Sequence, residues 1–168
     1  MSRRSLAAVA AVLLSVVLAG CASPVATKPA VKANDPRCAA VTVRLPSELG
    51  ELAQRETNAQ ATGAWGDPMQ VLLTCGVKVP ARSTLPCVTV DGIDWIRDDS
   101  AAPTSVYTSF GRTPAVDVAL QSARVSALTA LSALSDAVSQ TTKNGFRCQA
   151  PDDSGASPSP APSSTPTP

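Results

Sequence analysis

Five cysteines are the residues whose chemistry the sequence defines best, and Cys21 is set apart from the other four. It follows a Leu-Ala-Gly tripeptide, an apolar run at residues 6–18 and two arginines near the start. This order is typical of an export signal that is cut before a lipid-modified cysteine, and the apolar run is shorter than the ~20 residues that span a bilayer. We expect cleavage after residue 20 and a thioether-linked lipid, with palmitate or a similar acyl chain, on Cys21. The alternative is an ordinary secretory signal with a chance cysteine.

The other four cysteines, an even number in an exported chain, predict two disulfides. A zinc site with four cysteine ligands is the alternative, but no two of them have the short spacing of zinc knuckles. Of the three pairings we favour Cys38–Cys148, which ties the ends of a domain together, and Cys75–Cys87, which closes a short loop. The second bond has a difficulty, because Cys75 falls on the apolar face of its predicted strand and Cys87 on the outward face of the next.

Arg112, Trp65 and Asp94 are candidates for ligand binding. Arg112 lies in a Gly-Arg-Thr-Pro turn, where an exposed guanidinium would clamp a carboxylate or phosphate. A structural salt bridge with Asp117 or Asp67 is the alternative that we favour. Trp65 precedes a Gly-Asp-Pro turn and would stack on a sugar or peptide, unless it is a core aromatic, which we again favour.

Carboxylates are the candidates for catalysis. Asp94 and Asp117 would share acid and base roles if both lie on one sheet face. Asp94, Asp98 and Asp99 form an acidic cluster that would hold Ca²⁺ loosely, although a solvated strand end explains it better. The chain has no histidine, no Ser-x-x-Lys and no glycine-rich phosphate loop, which removes His-based nucleophile pairs and His-ligated metals. We therefore assign no catalytic residue, metal or cofactor.

The charge balance excludes nucleic acid as a partner. The chain has 14 basic and 13 acidic residues, and loss of residues 1–20 takes Arg3 and Arg4, so that 12 basic and 13 acidic side chains remain with a net charge of −1. The remaining basic residues are scattered, so that no basic patch for nucleic acid or anionic lipid is predicted.

Composition divides the chain into four parts. Residues 1–20 are the signal peptide, residues 21–36 a flexible tether, residues 37–148 a disulfide-stapled α+β domain, and residues 149–168 a disordered tail rich in Pro, Ser and Thr. The tail cannot bury enough apolar surface to offset the entropy of ordering it.

Hydrophobic periodicity predicts the elements of the domain. Strands are expected at residues 41–45, 69–79, 105–110 and 116–120, a short helix at residues 47–55, and a helix at residues 123–142 with Ser122 as its N-cap and Asn144-Gly145 after it. Together they predict an α+β fold, in which a small antiparallel sheet has one long C-terminal helix packed on one face.

The strongest local signal is a hairpin at residues 87–96. Its central Asp-Gly pair favours a two-residue type I′ turn. The resulting register pairs Val90 with Ile93 and Val88 with Trp95, and the alternation of strands puts all four on one face.

Four segments together carry a family resemblance: Trp-Gly-Asp-Pro at residues 65–68, and residues 71–77, 91–95 and 110–116. Through them the chain resembles, over residues 38–148, an actinobacterial lipoprotein family of unknown function (the DUF-3515 type). The resemblance implies an actinobacterial cell envelope and transfers no catalytic residue.

These observations predict an exported lipoprotein, held on the outer face of the cell membrane by the lipid on Cys21. Its role is expected to be non-catalytic, with an envelope protein or a cell-wall component as the partner. The alternatives are an envelope hydrolase that uses carboxylates and a binder of small anionic ligands through Arg112.

Overall fold

The computed structural model describes residues 23–81 and 83–149. Cys21, the signal peptide and the tail beyond Gln149 lie outside the described residues. Within them the elements are α1 (Pro36–Thr42), β1 (Glu48–Leu49), β2 (Leu52–Arg55), β3 (Thr62–Trp65), β4 (Val71–Val77), β5 (Cys87–Val90), β6 (Ile93–Asp98), β7 (Thr104–Phe110), β8 (Arg112–Thr113), β9 (Ala115–Gln121), α2 (Ala127–Ser139) and β10 (Thr142–Lys143). None of the helices in these ranges is long and apolar enough to cross a membrane.

Eight of the described strands form one antiparallel sheet in the order β1-β2-β3-β4-β9-β7-β6-β5. The short strands β8 and β10 pair with each other in a separate ladder. The antiparallel sheet and the presence of two disulfides, both predicted from the sequence, are confirmed.

Alternation along the central strands divides the sheet into a core face and an open face. The core face is fully buried and carries, among others, Val71, Leu73, Cys75, Val116 and Val118. We call the other side of the same strands the open face; its half-buried residues include Leu72, Thr74, Thr108, Asp117 and Ala119.

Helix α2 completes the core with an alanine- and leucine-rich stripe. It buries Ala130, Leu131, Leu134, Ala137 and Val138, and it contacts α1 and the strands β1, β5, β6 and β9. Burial of each leucine contributes about 2 kcal/mol, whereas an alanine contributes less but lets backbones come close.

The hairpin of β5 and β6 forms in the predicted register. Val90 pairs with Ile93 and Val88 with Trp95, and the turn between the strands has positive φ angles of 47° and 74°. Val90, Ile93 and Trp95 are buried, while Val88 remains 38% exposed at the sheet edge. The local turn chemistry was sufficient to set this register.

Two predictions near the N-terminus of the domain are wrong. Residues 41–45, expected as a strand, contain the end of α1 and the turn after it, because Asp35 caps the helix by accepting a hydrogen bond from the Arg37 amide and Pro36 begins it. Residues 47–55, expected as a helix, form the hairpin of β1 and β2, with Leu49 opposite Leu52. Both segments are short, and apolar spacing over so few residues does not separate helix from strand.

The C-terminal helix is shorter than residues 123–142. Its N-cap is Ser126, whose hydroxyl accepts from the Thr129 amide, rather than Ser122. A turn precedes it, in which the Val125 amide donates to the Gln121 carbonyl. The helix ends before residues 142–143, because these pair with β8 instead of continuing it.

Residues 23–35, assigned to a flexible tether by composition, lie along the domain. Val25 donates to the Glu56 carbonyl at 2.8 Å and accepts from the Asn58 amide. The Lys32 amide donates to the Gly76 carbonyl, and Ala33 is buried. The segment is ordered because its backbone N–H and C=O groups form hydrogen bonds with the rest of the domain. Amino-acid composition alone does not predict these hydrogen bonds.

The predicted disulfide pairing is wrong. The bonds are Cys38–Cys75 and Cys87–Cys148, with Cα atoms 5.5 and 5.6 Å apart. Cys75 lies on the core face, where α1 brings Cys38 to it, and both are fully buried. Cys87 lies on the opposite side of the sheet from Cys75, so a bond between them is geometrically excluded. The sequence had already placed Cys75 on the apolar face of its strand and Cys87 on the outward face of the next.

The burial of the two bonds predicts their order of reduction. Cys38–Cys75 is fully buried, whereas Cys87 and Cys148 are half-buried. Under limited native reduction with an alkylating agent, we expect Cys87 and Cys148 to be labelled first, and mass spectrometry of peptides to show it. In denaturant, as a control, all four should label together. Recovery of a peptide linked through Cys38 and Cys148 from unreduced protein would contradict the pairing.

Candidate functional site

Trp65 is a core residue and not a ligand platform. Its side chain is fully buried, and the indole Nε1 donates to the Pro46 carbonyl at 2.9 Å. The alternative that we favoured from the sequence is thus correct, and the proposed stacking on a sugar or peptide has no exposed ring to use.

Arg112 is buried at the C-terminal end of α2. Only 6% of the residue is exposed, and Nη1 donates to the carbonyls of Ser139 at 3.2 Å and Thr141 at 3.0 Å. The last carbonyls of a helix carry a partial negative charge, which a cation stabilises. The sequence-based picture of an exposed guanidinium is wrong, and so is the favoured salt bridge with Asp117 or Asp67, because the partner is a helix terminus.

Burial lowers the pKa of the Arg112 guanidinium below its usual value, and the nearby Asp94 carboxylate opposes this shift. A guanidinium still remains charged near neutral pH. Arg112 is therefore a buried positive charge whose compensation comes from backbone dipoles and from Asp94.

Asp94 holds the C-terminal segment of the domain on the sheet. Its Oδ2 accepts a hydrogen bond from the Cys148 amide at 2.8 Å, and its Oδ1 accepts from the Thr89 hydroxyl at 2.6 Å. Both oxygens are thus engaged by groups of the protein.

Asp117 lies in a row of hydroxyls on the open face. It pairs with Thr74 of β4 and with Thr108 of β7, and the Thr108 hydroxyl donates to its Oδ1 at 2.6 Å. Burial raises the pKa of the Asp117 carboxyl, and the hydrogen bond from Thr108 opposes this shift. Asp94 lies two strands away on β6, about 10 Å by strand spacing. The two carboxylates share a face but do not form a pair that could exchange a proton directly.

The other two acidic candidates have local partners. Asp99 pairs with Arg97 at 2.8 Å and accepts from Ser105. Asp98 accepts from the Ser100 amide, which is the geometry of a turn. Across residues 23–81 and 83–149, no group of three or more acidic, cysteine or histidine side chains lies close enough to hold a metal ion.

A crossing of the C-terminal segment over the open face builds two adjoining cavities. We call residues 145–149 the C-terminal crossing. The Cys87–Cys148 bond fixes one end. Phe146 stacks on Phe110 of β7, with ring centroids 5.7 Å apart. Gly111 has a φ of +71°, and a Cβ on it would overlap the Phe146 carbonyl oxygen. A side chain at position 111 would therefore lift the crossing from the sheet.

Two cavities flank Phe146. The larger, a groove of about 750 Å³, is lined by the apolar side chains of Leu85, Pro86, Ile96, Phe110 and Phe146 together with polar groups that include Ser83, Arg147 and Gln149. The smaller, of about 320 Å³, is lined by charged groups that include Asp94, Arg112, Lys143 and Arg147. Both are lined by Phe110, Gly145, Phe146 and Arg147, so that they adjoin each other.

The site brings together two of the six sequence candidates, Asp94 and Arg112, and leaves out Trp65, Asp98, Asp99 and Asp117. Sequence reasoning missed Leu85, Lys143 and Phe146, and it assigned no role to Arg147. The available signal was the last cysteine, because a disulfide at Cys148 must return the neighbouring residues to the sheet.

Comparison with known proteins gives a family and no activity. A family model described as a protein of unknown function, DUF3515, matches residues 5–145. No curated protein and no solved structure matches the chain.

Arg112→Ala should lower the free energy of unfolding by about 2 kcal/mol, since it leaves the carbonyls at the end of α2 without their cation. Arg112→Lys should restore part of this loss. Urea unfolding followed by circular dichroism provides the measurement. Arg124→Ala, which removes an exposed arginine, is the control and should change it by less than about 0.5 kcal/mol. An unchanged midpoint for Arg112→Ala would show that the buried guanidinium does not stabilise the helix end.

Proposed function

The chain belongs to the DUF3515 family of proteins of unknown function, and on that premise we propose that it is an exported, lipid-anchored envelope protein that works by binding. The anchor is Cys21. The binding surface is the pair of cavities at the C-terminal crossing, and that crossing is the observation that carries the proposal.

Export is supported by two independent features. The first is the order of basic, apolar and small residues before Cys21, which is typical of a lipoprotein signal. The second is the pair of disulfides, which persist in oxidising compartments outside the cytosol.

The course of the N-terminal segment supports a fixed orientation on the membrane. The carbonyl of Ser23 accepts a hydrogen bond from Arg55 Nη2 of β2 at 3.1 Å. Cys21 is two positions before Ser23 in the chain, a span of at most about 7 Å. A lipid on Cys21 would therefore hold the β2 side of the domain against the headgroups.

The strand order supports a position of the cavities far from this proposed anchor. β2 and β6 are five strand spacings apart in the sheet, which is about 24 Å. With the β2 side against the headgroups, the groove would lie about this far from the anchored edge, where other envelope components can reach it. This arrangement suits a binding surface that must be reached by a partner from outside.

Binding rather than turnover is supported by how the carboxylates are used. Asp94 has both oxygens engaged by Thr89 and Cys148, and Asp117 stands apart from it across two strands. The chain has no histidine to act as a base near neutral pH.

Cys21→Ala should release the protein from the membrane. With no acyl chain to bury, the variant should appear in the soluble or secreted fraction, while the unaltered protein stays with membranes and incorporates labelled palmitate. Fractionation and immunoblotting provide the measurement. Retention of Cys21→Ala in the membrane fraction would contradict the anchor assignment.

Binding through the crossing is tested in cells by photo-crosslinking. A photoreactive amino acid that replaces Phe146 should give an adduct with an envelope component, and the same replacement at Leu128, exposed on α2, should give none. The purified protein, incubated with cell-wall and membrane fractions, should release no product. Product release that is lost in Asp94→Asn or Asp117→Asn would replace the binding function with an enzymatic one.

A further inference from the structure

The smaller cavity at the C-terminal crossing carries an excess of positive charge. Arg112, Lys143 and Arg147 line it, and Asp94 is the one acidic residue among its described lining groups, which leaves two positive charges in excess. Asp94 is already the hydrogen-bond acceptor for Thr89 and for the Cys148 amide. The cavity is therefore cationic although the sequence shows no basic run.

Two of these cations lie directly opposite each other. Lys143 of β10 is the register partner of Arg112 of β8, and residues so paired point to the same side with Cβ atoms about 5 Å apart. Like charges in this position destabilise a ladder. Among the described residues the salt bridges join Arg37 to Asp35, Arg55 to Asp67 and Arg97 to Asp99, so that neither Arg112 nor Lys143 takes part in one.

Arg112 has hydrogen-bonding capacity left over. A guanidinium has five N–H donors, and within the described residues Nη1 alone is bonded, to the carbonyls of Ser139 and Thr141. No nitrogen of Arg112 is both sealed from solvent and unbonded. Its remaining N–H groups are therefore accessible to solvent, and the residue lines the smaller cavity, where an anion would meet a buried, preorganised side chain.

The adjoining groove carries exposed apolar side chains. Phe146 stands between the two cavities, 47% exposed and stacked on Phe110. Leu85, at the rim of the groove, is 43% exposed. Exposed apolar groups beside a buried cation are typical of a site that binds an apolar body and orients it by one charged group.

From this geometry we infer that the crossing binds an amphipathic anion, with a carboxylate or phosphate head in the cavity of Arg112, Lys143 and Arg147 and an acyl chain or ring in the groove along Phe146. The inference rests on the proposed binding function and names its ligand class. Arg112 orients the head, and the exposed Lys143 and Arg147 attract it.

The experiment uses the mature chain, residues 21–168, carrying Cys21→Ala, so that no detergent is needed. Four probes are titrated by calorimetry and by amide chemical shifts: octanoate, octyl phosphate, inorganic phosphate and 1-octanol. We expect at least one of the first two to bind at least tenfold more tightly than inorganic phosphate, which lacks the chain, and than 1-octanol, which lacks the charge. A preference for octyl phosphate would indicate a lipid-type phosphate head, and a preference for octanoate a carboxylate.

Single substitutions separate the two halves of the site. Lys143→Gln and Arg147→Gln should each weaken binding of the amphipathic anion by about tenfold, the effect of losing one charged hydrogen bond of about 1.4 kcal/mol. Arg124→Gln is the matched control for total charge and should leave affinity unchanged. Phe146→Ala should weaken octanoate and octyl phosphate without changing inorganic phosphate. All four positions are exposed, so that folding is preserved.

Three outcomes would overturn the inference: equal affinity for octanoate, octyl phosphate and 1-octanol, an equal loss in Arg124→Gln, or full affinity in the Lys143→Gln, Arg147→Gln double variant. If an envelope component is crosslinked at Phe146 while neither amphipathic anion binds, the ligand class is wrong and the binding function stands. Hydrolysis of octyl phosphate by the protein would instead contradict the binding function.

Discussion

The fold depends on two chain segments that are held against the sheet. Each is held by a disulfide and lies close to a glycine, whose missing side chain leaves room for the backbone of the segment. Cys75 bonds Cys38, and the next residue, Gly76, has a φ of +94° and comes so close to the Lys32 backbone that a Cβ would clash with it. Cys148 bonds Cys87, while Gly111 meets the backbone of Phe146 in the same way. The disulfide and the glycine thus act together. Without the disulfide the segment would be free, and with a side chain in place of the glycine it would be held away from the sheet.

The two bonds close different sides of the molecule. Cys38–Cys75 ties α1 to the central strand β4 inside the core. For a loop of this length, the bond lowers the entropy of the unfolded chain by an amount worth about 4 kcal/mol. Cys87–Cys148 ties the C-terminal crossing to the hairpin on the open face. The first stabilises the core of a domain that is poor in aromatic residues, and the second lines the larger of the two cavities. Stability and the candidate site therefore rest on separate covalent constraints.

Arg112 contacts both the core side of the domain, at the end of α2, and the cavity side, at the C-terminal crossing. Its Nη1 holds the carbonyls at the end of α2, which packs in the core, and the same residue lines the smaller cavity. Burying a guanidinium that has no carboxylate within salt-bridge distance costs free energy, unless backbone dipoles, solvent or an anion compensate its charge. The need to stabilise the helix end gives a structural reason for the charge, and its position makes that charge available to a ligand. One residue can thus serve the fold and the site without conflict.

The sequence by itself determined what depends on neighbours along the chain. The Asp-Gly turn set the register of β5 and β6, alternation identified β4, β7 and β9, and the even cysteine number indicated two disulfides. Tertiary structure decided the rest. Short segments such as residues 41–45 and 47–55 have no periodicity long enough to choose a state, and the helix ends where Arg112 binds its carbonyls. The pairing of the cysteines, the docking of residues 23–35 and the cavity of Arg112, Lys143 and Arg147 all join residues far apart in sequence. No local pattern encodes such contacts, because their free energy comes from surfaces that exist only once the sheet has formed.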